Sequence, residues 1–83
     1  MYAIKLIPQA QKDLNNFPQN IFNKIKAEII KLKDNPRPHG SIKLTQAEGY
    51  RIRAGDYRIL YRIEDQAKEI YVYRIKHRKD VYR

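Results

Sequence analysis

The chain has 83 residues and a mass of 10.0 kDa, which predicts one domain over residues 1–83. A domain this small buries only about 60% of its unfolded surface, which disfavours a deep enclosed active site. It has no cysteine and only two isolated histidines, so a disulfide framework and a metal site are excluded, and a reducing cytoplasmic location is expected. The net charge of +9 favours a polyanionic partner such as nucleic acid, a ribosome or an acidic protein.

The first half of the chain predicts one strand followed by two helices. Residues 2–7 form a β-prone run that Pro8 ends, and no stretch is long and apolar enough for a signal peptide or a membrane span. Ala10 and Leu14 are four residues apart, which predicts a short helix over residues 8–14. Apolar residues then recur every three or four positions over residues 18–33, the pattern of an amphipathic helix.

The second half predicts a loop and three strands. Residues 34–41 contain two prolines and a glycine and form the one long loop, and residues 42–44 are too short to assign. The runs 49–53, 57–63 and 69–76 are β-prone, and the short polar connections between them indicate an antiparallel meander. The order of elements predicts an α+β fold, with both helices packed on one face of a four-stranded, mainly antiparallel sheet.

The open face of this sheet is expected to be basic. Seven of the eight arginines lie in the last 34 residues, whereas seven of the ten lysines lie in the first 49. Side chains along a strand alternate between the two faces of a sheet. If Tyr57, Ile59 and Tyr61 face the helices, the arginines between and beside them project from the other face. The planar guanidinium suits bidentate contacts to phosphate. The predicted exposed platform consists of Arg51, Arg53, Arg58 and Arg62.

Two stretches of the chain resemble the RelE/ParE superfamily of bacterial toxins from type II toxin–antitoxin systems, in particular its RelE branch. They are G-Y-R-I-R-A-G-D-Y-R-I-L-Y at residues 49–61 and I-K-H-R-K-D-V-Y at residues 75–82. Residues 7–14 and 34–37 have counterparts in the opening of the family, so the resemblance covers essentially the whole chain. The resemblance implies a compact RelE-like fold and a toxin that enters the ribosomal A site and cuts mRNA there without a metal or cofactor.

The resemblance also implies roles for individual residues. Cleavage in the RelE branch proceeds by attack of a ribose 2′-hydroxyl on the adjacent phosphate, which needs a base, an acid and cations. The matching positions here, all candidates for catalysis, are Arg51, Arg53, Arg58, Arg78 and Tyr82, with His77 beside Arg78. The best-known members have Lys at the first pair, and Arg is a poor proton donor or acceptor, so Arg51 and Arg53 are expected to stabilise charge. Proton transfer falls to Tyr82 or His77, and the sequence does not choose between them.

Other residues have simpler interpretations. A second group of cations is expected to attract RNA by charge alone: Arg62, Arg74, Lys76, Lys79 and Arg83. The strand tyrosines are interpreted as core or cross-strand residues, and His39 as an ordinary exposed residue. The carboxylates Asp13 and Glu28 are interpreted as solvated charges on helix surfaces.

Three functions remain open from the sequence. The first is a ribosome-dependent mRNA endonuclease; the others are a ParE-like inhibitor of DNA gyrase without nuclease activity and a non-catalytic RNA-binding module. The resemblance implies a RelB-like antitoxin as partner, and the basic platform predicts that its toxin-binding segment is acidic and amphipathic. The ribosome and mRNA are the other expected partners, within a toxin–antitoxin hetero-oligomer.

Overall fold

One strand, two helices and then a group of strands follow one another along the chain, as the sequence predicts. The structure, a computed structural model, describes residues 1–45 and 49–81, with the backbone alone for residues 80–81. Its elements are β1 (Ala3–Leu6), α1 (Pro8–Asn15), α2 (Gln19–Lys31), β2 (Ile42–Lys43), β3 (Tyr50–Ala54), β4 (Tyr57–Glu64), β5 (Glu69–His77) and α3 (Arg78–Val81). Among the described helices, none is long and apolar enough to cross a membrane.

The sheet has five strands in the order β1-β5-β4-β3-β2. β1 is parallel to β5, and the remaining neighbours are antiparallel. The expected count of four strands is wrong because Ile42 and Lys43 pair with Arg51 and Tyr50 to form β2. A two-residue strand carries no alternation of polar and apolar side chains, so its pattern in the sequence is too short to detect.

The core lies between one face of the sheet and the first two helices. Ala10 and Leu14 of α1 and Ile25 and Ile29 of α2 are buried in it. The sheet contributes side chains that alternate along β3 and β4, as period-two patterning requires, whereas in β5 an irregularity in the pairing with β4 shifts the alternation between Val72 and Ile75. They are Ile52, Ala54, Ile59, Tyr61, Ile70, Val72 and Ile75. This arrangement confirms the predicted α+β architecture with the helices on one face.

Two glycines are required by the connections between strands. Gly55 and Asp56 form the turn between β3 and β4, and Gly55 has φ +62°. Gly49 precedes β3 with φ +119°, and a Cβ atom there would collide with the carbonyl oxygen of Tyr61. The approach of the two backbones at Gly49 therefore leaves no room for a side chain.

The edge of β5 is completed by a side chain where β1 ends. β1 pairs with β5 only as far as Val72. Beyond it, Oδ2 of Asp13 accepts hydrogen bonds from the backbone N–H of Ile75 and from Nε of Arg74, both at 2.9 Å. The interpretation of Asp13 as a solvated surface charge is wrong, because α1 packs beside this part of β5 and presents the carboxylate to its amide.

The proline-containing loop is fastened to the sheet at two adjacent residues. The hydroxyl of the fully buried Tyr61 donates a 2.7 Å hydrogen bond to the carbonyl oxygen of Pro36. Arg37 donates to both carboxylate oxygens of Asp65, at 2.9 and 3.4 Å, and to the hydroxyl of Tyr50 at 3.1 Å. The guanidinium of Arg37 also lies 5.3 Å from the centre of the Tyr50 ring. This loop is consequently held against β3 and β4 by side chains.

The C-terminal end of β5 continues directly into α3. The backbone N–H of Arg78 donates a 2.7 Å hydrogen bond to the carbonyl oxygen of Asp56, which brings α3 to the start of β4. The sequence predicted that β5 ends at Lys76 and predicted no helix after it. A single turn over Arg78–Val81 is too short for a periodic apolar pattern.

Candidate nucleic-acid interface

Three cations lie side by side across neighbouring strands at one end of the sheet. Arg58 of β4 pairs in register with Arg53 of β3 on one side and with Lys76 of β5 on the other. Directly opposite residues on neighbouring strands share a face and have Cβ atoms about 5 Å apart. We call Arg53, Arg58 and Lys76 the cation row. It crosses the strands at the end of the sheet where β4 begins and β5 ends.

Arg58, the middle member of the cation row, is buried. Its exposed fraction is 8%, so the expectation that it projects freely from an open platform is wrong. Strand alternation alone does not show that a residue of β4 has the paired strands β3 and β5 on both sides. Its Nη1 atom is buried and has no hydrogen-bond partner among the residues that the structure describes. An unpaired buried cationic nitrogen is costly unless an anion satisfies it.

A cavity of about 270 Å³ lies beside Arg58. The three arginines Arg51, Arg53 and Arg58 line it, together with Gly40, Ile42 and Ile52. Within the described ranges, no carboxylate forms an ion pair with any of these arginines. A phosphate group carries the charge and the acceptor oxygens that such a cluster lacks. The cavity is therefore a candidate site for one phosphate of a nucleic-acid strand.

Lys76 and His39 were assigned lesser roles from the sequence. The sheet register places Lys76 opposite Arg58. Strand alternation alone does not predict this pair, because the bulge near Leu60 and Tyr61 shifts the pairing of β4 with β5. His39 is exposed, as expected, but it lines a recess of about 150 Å³ that shares Gly40, Ile52 and Arg53 with the arginine cavity. No pattern in the sequence relates the loop residue His39 to Arg53.

Two further candidate cations are held by neighbouring side chains. The guanidinium of Arg62 lies 4.5 Å from the centre of the Tyr71 ring and 3.5 Å from a carboxylate oxygen of Glu64. Arg74 is paired with Asp13 at the edge of the sheet. Both side chains contribute to the positive electrostatic potential of the protein, but each guanidinium already contacts side chains of the protein itself.

The residues after β5 are placed beside the start of β4. Nε of Arg78 lies 4.0 Å from the carboxylate of Asp56, and both side chains are more than half exposed, so this contact is loose. Lys79 is exposed and belongs to the same turn of helix. Tyr82, a candidate for catalysis, and Arg83, a candidate for RNA binding, lie outside the described residues.

His77 is oriented by the turn that follows it. Its Nδ1 atom accepts a 3.2 Å hydrogen bond from the backbone N–H of Lys79. In the neutral ring an accepting Nδ1 places the hydrogen on Nε2, so Nε2 is a donor. For His77 to accept a proton at Nδ1, the hydrogen bond to Lys79 must first break. The His77 ring also packs edge-on against Tyr57, with centroids 5.2 Å apart.

The chain matches a family of known toxins over almost its entire length. Residues 4–82 match the family described as the ParE toxin of the type II toxin–antitoxin system parDE. The chain is 30% identical to the toxin RelG of Mycobacterium tuberculosis over 88 aligned positions, which cover 99% of this chain and 97% of RelG.

Solved structures show the same fold. The toxin–antitoxin complex RelBE2 of Mycobacterium tuberculosis contains a chain with a TM-score of 0.82 and 26% identity, covering 92% of this chain and 96% of that one. The isolated RelE toxin of E. coli gives a TM-score of 0.81 at 19% identity, covering 99% and 92% of the two chains, and supports the fold alone. The family match over residues 4–82 and the identity to RelG establish that the chain belongs to the RelE/ParE superfamily of type II toxins.

Proposed function

We propose that the protein is a ribosome-dependent endoribonuclease that stops translation by cutting mRNA. The observation that carries the proposal is the buried Nη1 atom of Arg58, which has no hydrogen-bond partner within the described part of the chain. Arg58 also lines a cavity together with Arg51 and Arg53. The names of relatives add support, since they include RelG and RelE toxins. A phosphate site is something that a nuclease requires and a purely protein-binding inhibitor does not, so the cluster of arginines around this cavity supports the nuclease.

In the proposed reaction, a ribose 2′-hydroxyl attacks the adjacent phosphorus while the bond from phosphorus to the 5′-oxygen breaks. The products are a 2′,3′-cyclic phosphate and a 5′-hydroxyl, and the proton lost by the 2′-oxygen is balanced by the proton gained by the leaving oxygen. Charge grows on the phosphorane oxygens, so Arg58 and its neighbours Arg51 and Arg53 act as stabilisers placed in advance. This effect is strongest for the buried Arg58, because water screens it less than the exposed Arg53.

Proton transfer is assigned to the end of the chain. His77 accepts from the backbone N–H of Lys79, so its neutral ring offers a donor rather than a base. We therefore propose that Tyr82 takes the proton from the 2′-hydroxyl and passes it to the leaving 5′-oxygen. Arg78, four residues before Tyr82 in the sequence, is proposed to add positive charge to this reaction. A phenol has an ordinary pKa of about 10, and neighbouring cations favour its ionised form.

The test is cleavage of a defined mRNA in a purified translation system, with and without ribosomes. Arg58→Gln keeps much of the buried volume and removes the charge, and we expect it to slow cleavage by about 100-fold or more. Lys12→Gln, an exposed change on α1, is the matched control and should cut at the wild-type rate. Tyr82→Phe should slow cleavage more than His77→Gln does.

A different target would give a different pattern. If no message is cut and the protein inhibits supercoiling by DNA gyrase, the protein is a ParE-like inhibitor and the endonuclease proposal fails. If RNA binds but neither activity is found, the protein is an RNA-binding module.

We also propose that a RelB-like antitoxin partners this toxin. Structures of similar toxins include complexes with RelB from Pyrococcus horikoshii, where the toxin chain is 26% identical to this one. A groove of about 440 Å³ between β1 and the helices is lined mainly by apolar side chains, including Ile4, Phe22 and Ile30, with Lys26 and Lys33 also lining it. Ile30 is 48% exposed. An amphipathic segment with acidic residues along one side matches both features.

The antitoxin proposal is tested with the co-expressed partner. Ile30→Glu should weaken the complex, and Ala27→Glu, on an exposed position of the same helix, is the control. The association rate should fall as salt rises, since charge attraction is screened. An association rate that does not change with salt would contradict electrostatic attraction.

A further inference from the structure

A cleft of about 270 Å³ lies between the end of α1 and the outer edge of β5. Asn16 and Phe17 line it from the helix side, and Lys76 and His77 line it from the strand. The Asp13–Arg74 ion pair also contributes to its walls. β1 does not cover this part of β5, because its pairing ends at Val72. The cleft is therefore distinct from the arginine cavity, which lies on the β3 side of Arg58.

The cation row leads to this cleft. The row runs from Arg53 on β3 through Arg58 on β4 to Lys76 on β5. Neighbouring strands are about 4.8 Å apart, so an RNA backbone that follows the cations crosses the strands and leaves the sheet at Lys76. Lys76 also lines the cleft. The nucleotide that follows the bound phosphate on this side reaches the cleft next.

The chemistry of the cleft suits a flat ring with polar edges. Phe17 and His77 both pack against Tyr57, with ring centroids 4.8 and 5.2 Å away, so their rings are held in place by a common neighbour. The Nε2–H of the neutral His77 ring is a donor, and the exposed Asn16 amide offers a donor and an acceptor. Unstacked RNA bases are recognised by aromatic stacking combined with hydrogen bonds to their edges.

We propose that this cleft binds one nucleobase of the RNA strand whose phosphate lies on the cation row. The proposal rests on the proposed RNA substrate and adds a base-binding subsite to it. A volume of about 270 Å³ is just below the usual range of ligand pockets, about 300–1,000 Å³, and so suits one ring system rather than a larger ligand. His77 acts here as a contact to the base, a role consistent with its donor at Nε2.

The experiment measures binding of 2′-O-methyl RNA tetranucleotides, which cannot be cleaved, to the toxin at low salt without ribosomes. The probes are the intact oligonucleotide and four versions that each lack one base. We expect the loss of one particular base to weaken binding to the wild type by about fivefold or more, the effect of a stacked base. In Asn16→Ala and in His77→Ala that penalty should shrink to within about twofold. Asn23→Ala, an exposed amide on α2 outside the cleft, should keep the full penalty.

Several results would overturn the proposal. They are equal penalties in the wild type and both variants, no penalty at any position, and no measurable binding of the intact oligonucleotide. Thermal melting of each variant checks that it is folded, and Asn16→Ala remains informative if His77→Ala is not, because Asn16 is exposed. Cleavage without a base-dependent penalty would keep the endonuclease proposal and remove this subsite. A base-dependent penalty without cleavage would keep this subsite and remove the endonuclease proposal.

Discussion

Arg53 and Arg58 are directly paired across β3 and β4, and Arg58 is in turn paired with Lys76. Like charges placed opposite each other in a sheet repel and destabilise it. No described carboxylate forms an ion pair with any of the three. The free protein thus carries an electrostatic cost at the end of the sheet that a bound polyanion would relieve.

We expect Arg53→Gln to raise the free energy of unfolding by up to about 1 kcal/mol at low salt, because it removes one of the repulsions on Arg58. The gain should shrink at high salt, where the charges are screened. Thermal melting at two salt concentrations measures it. Lys43→Gln, an exposed change outside the cation row, serves as the control. A lower melting temperature for Arg53→Gln at low salt would contradict net repulsion in the row.

Asp13 should be important for stability although it lies on a short surface helix. Partial burial raises the pKa of the Asp13 carboxyl, but hydrogen bonds from the Ile75 backbone and from Arg74 outweigh it and hold the pKa below the ordinary value of 3.8. Asp13→Asn is expected to cost about 1.5–3 kcal/mol, the range for hydrogen bonds to a charged group. Denaturant unfolding of Asp13→Asn beside Glu28→Gln measures this difference.

The pH dependence of the same group has a definite sign. Because the folded pKa of Asp13 is lowered, its stabilisation is present above pH 3.8 and is lost as the pH falls through the folded pKa. The wild type should therefore lose stability relative to Asp13→Asn only in the acidic range below about pH 4. A constant difference between the two proteins down to the lowest pH would count against an ionised Asp13.

Tyr61 should ionise later than an ordinary tyrosine. Burial raises the pKa of Tyr61 to about 12. Since the folded pKa is raised, the contribution of Tyr61 to stability is complete below pH 10 and is lost as the pH rises towards 12. Tyr61→Phe removes the hydrogen bond to Pro36 and should cost about 1 kcal/mol near neutral pH. Absorbance titration of the wild type and Tyr61→Phe identifies the late transition, and Tyr71→Phe is the comparison.

Gly49 should not tolerate a side chain. Gly49→Ala places a Cβ atom against the Tyr61 carbonyl and forces a positive φ on an L-residue. We expect a loss of about 1–3 kcal/mol from backbone strain, with more from the contact. Gly40 also has a positive φ of +93°, but no atom lies within 4 Å of a Cβ built there. Gly40→Ala is consequently the matched control for strain without a clash, and a larger loss at Gly40 would contradict this account.

The sequence predicted the parts of the fold that repeat along the chain. Alternation in residues 57–63 placed Ile59 and Tyr61 in the core and Arg58 on the other face, as the structure confirms. It could not predict that Arg58 is buried, because burial depends on residues from β3 and β5 that are distant along the chain. The same limit applies to Asp13, whose partner Ile75 is 62 residues away, and to β2, which has no pattern of its own.

The Asp13 carboxylate also affects how this sheet meets other molecules. An uncovered strand edge presents free amide groups to which any extended peptide can add, and such edges promote aggregation. β1 leaves the last part of β5 uncovered, and Asp13 occupies the amide of Ile75 there. A carboxylate can accept a hydrogen bond from a strand, but it cannot continue the ladder outward. Growth of the sheet by edge addition is thus stopped at this position by a single side chain from α1.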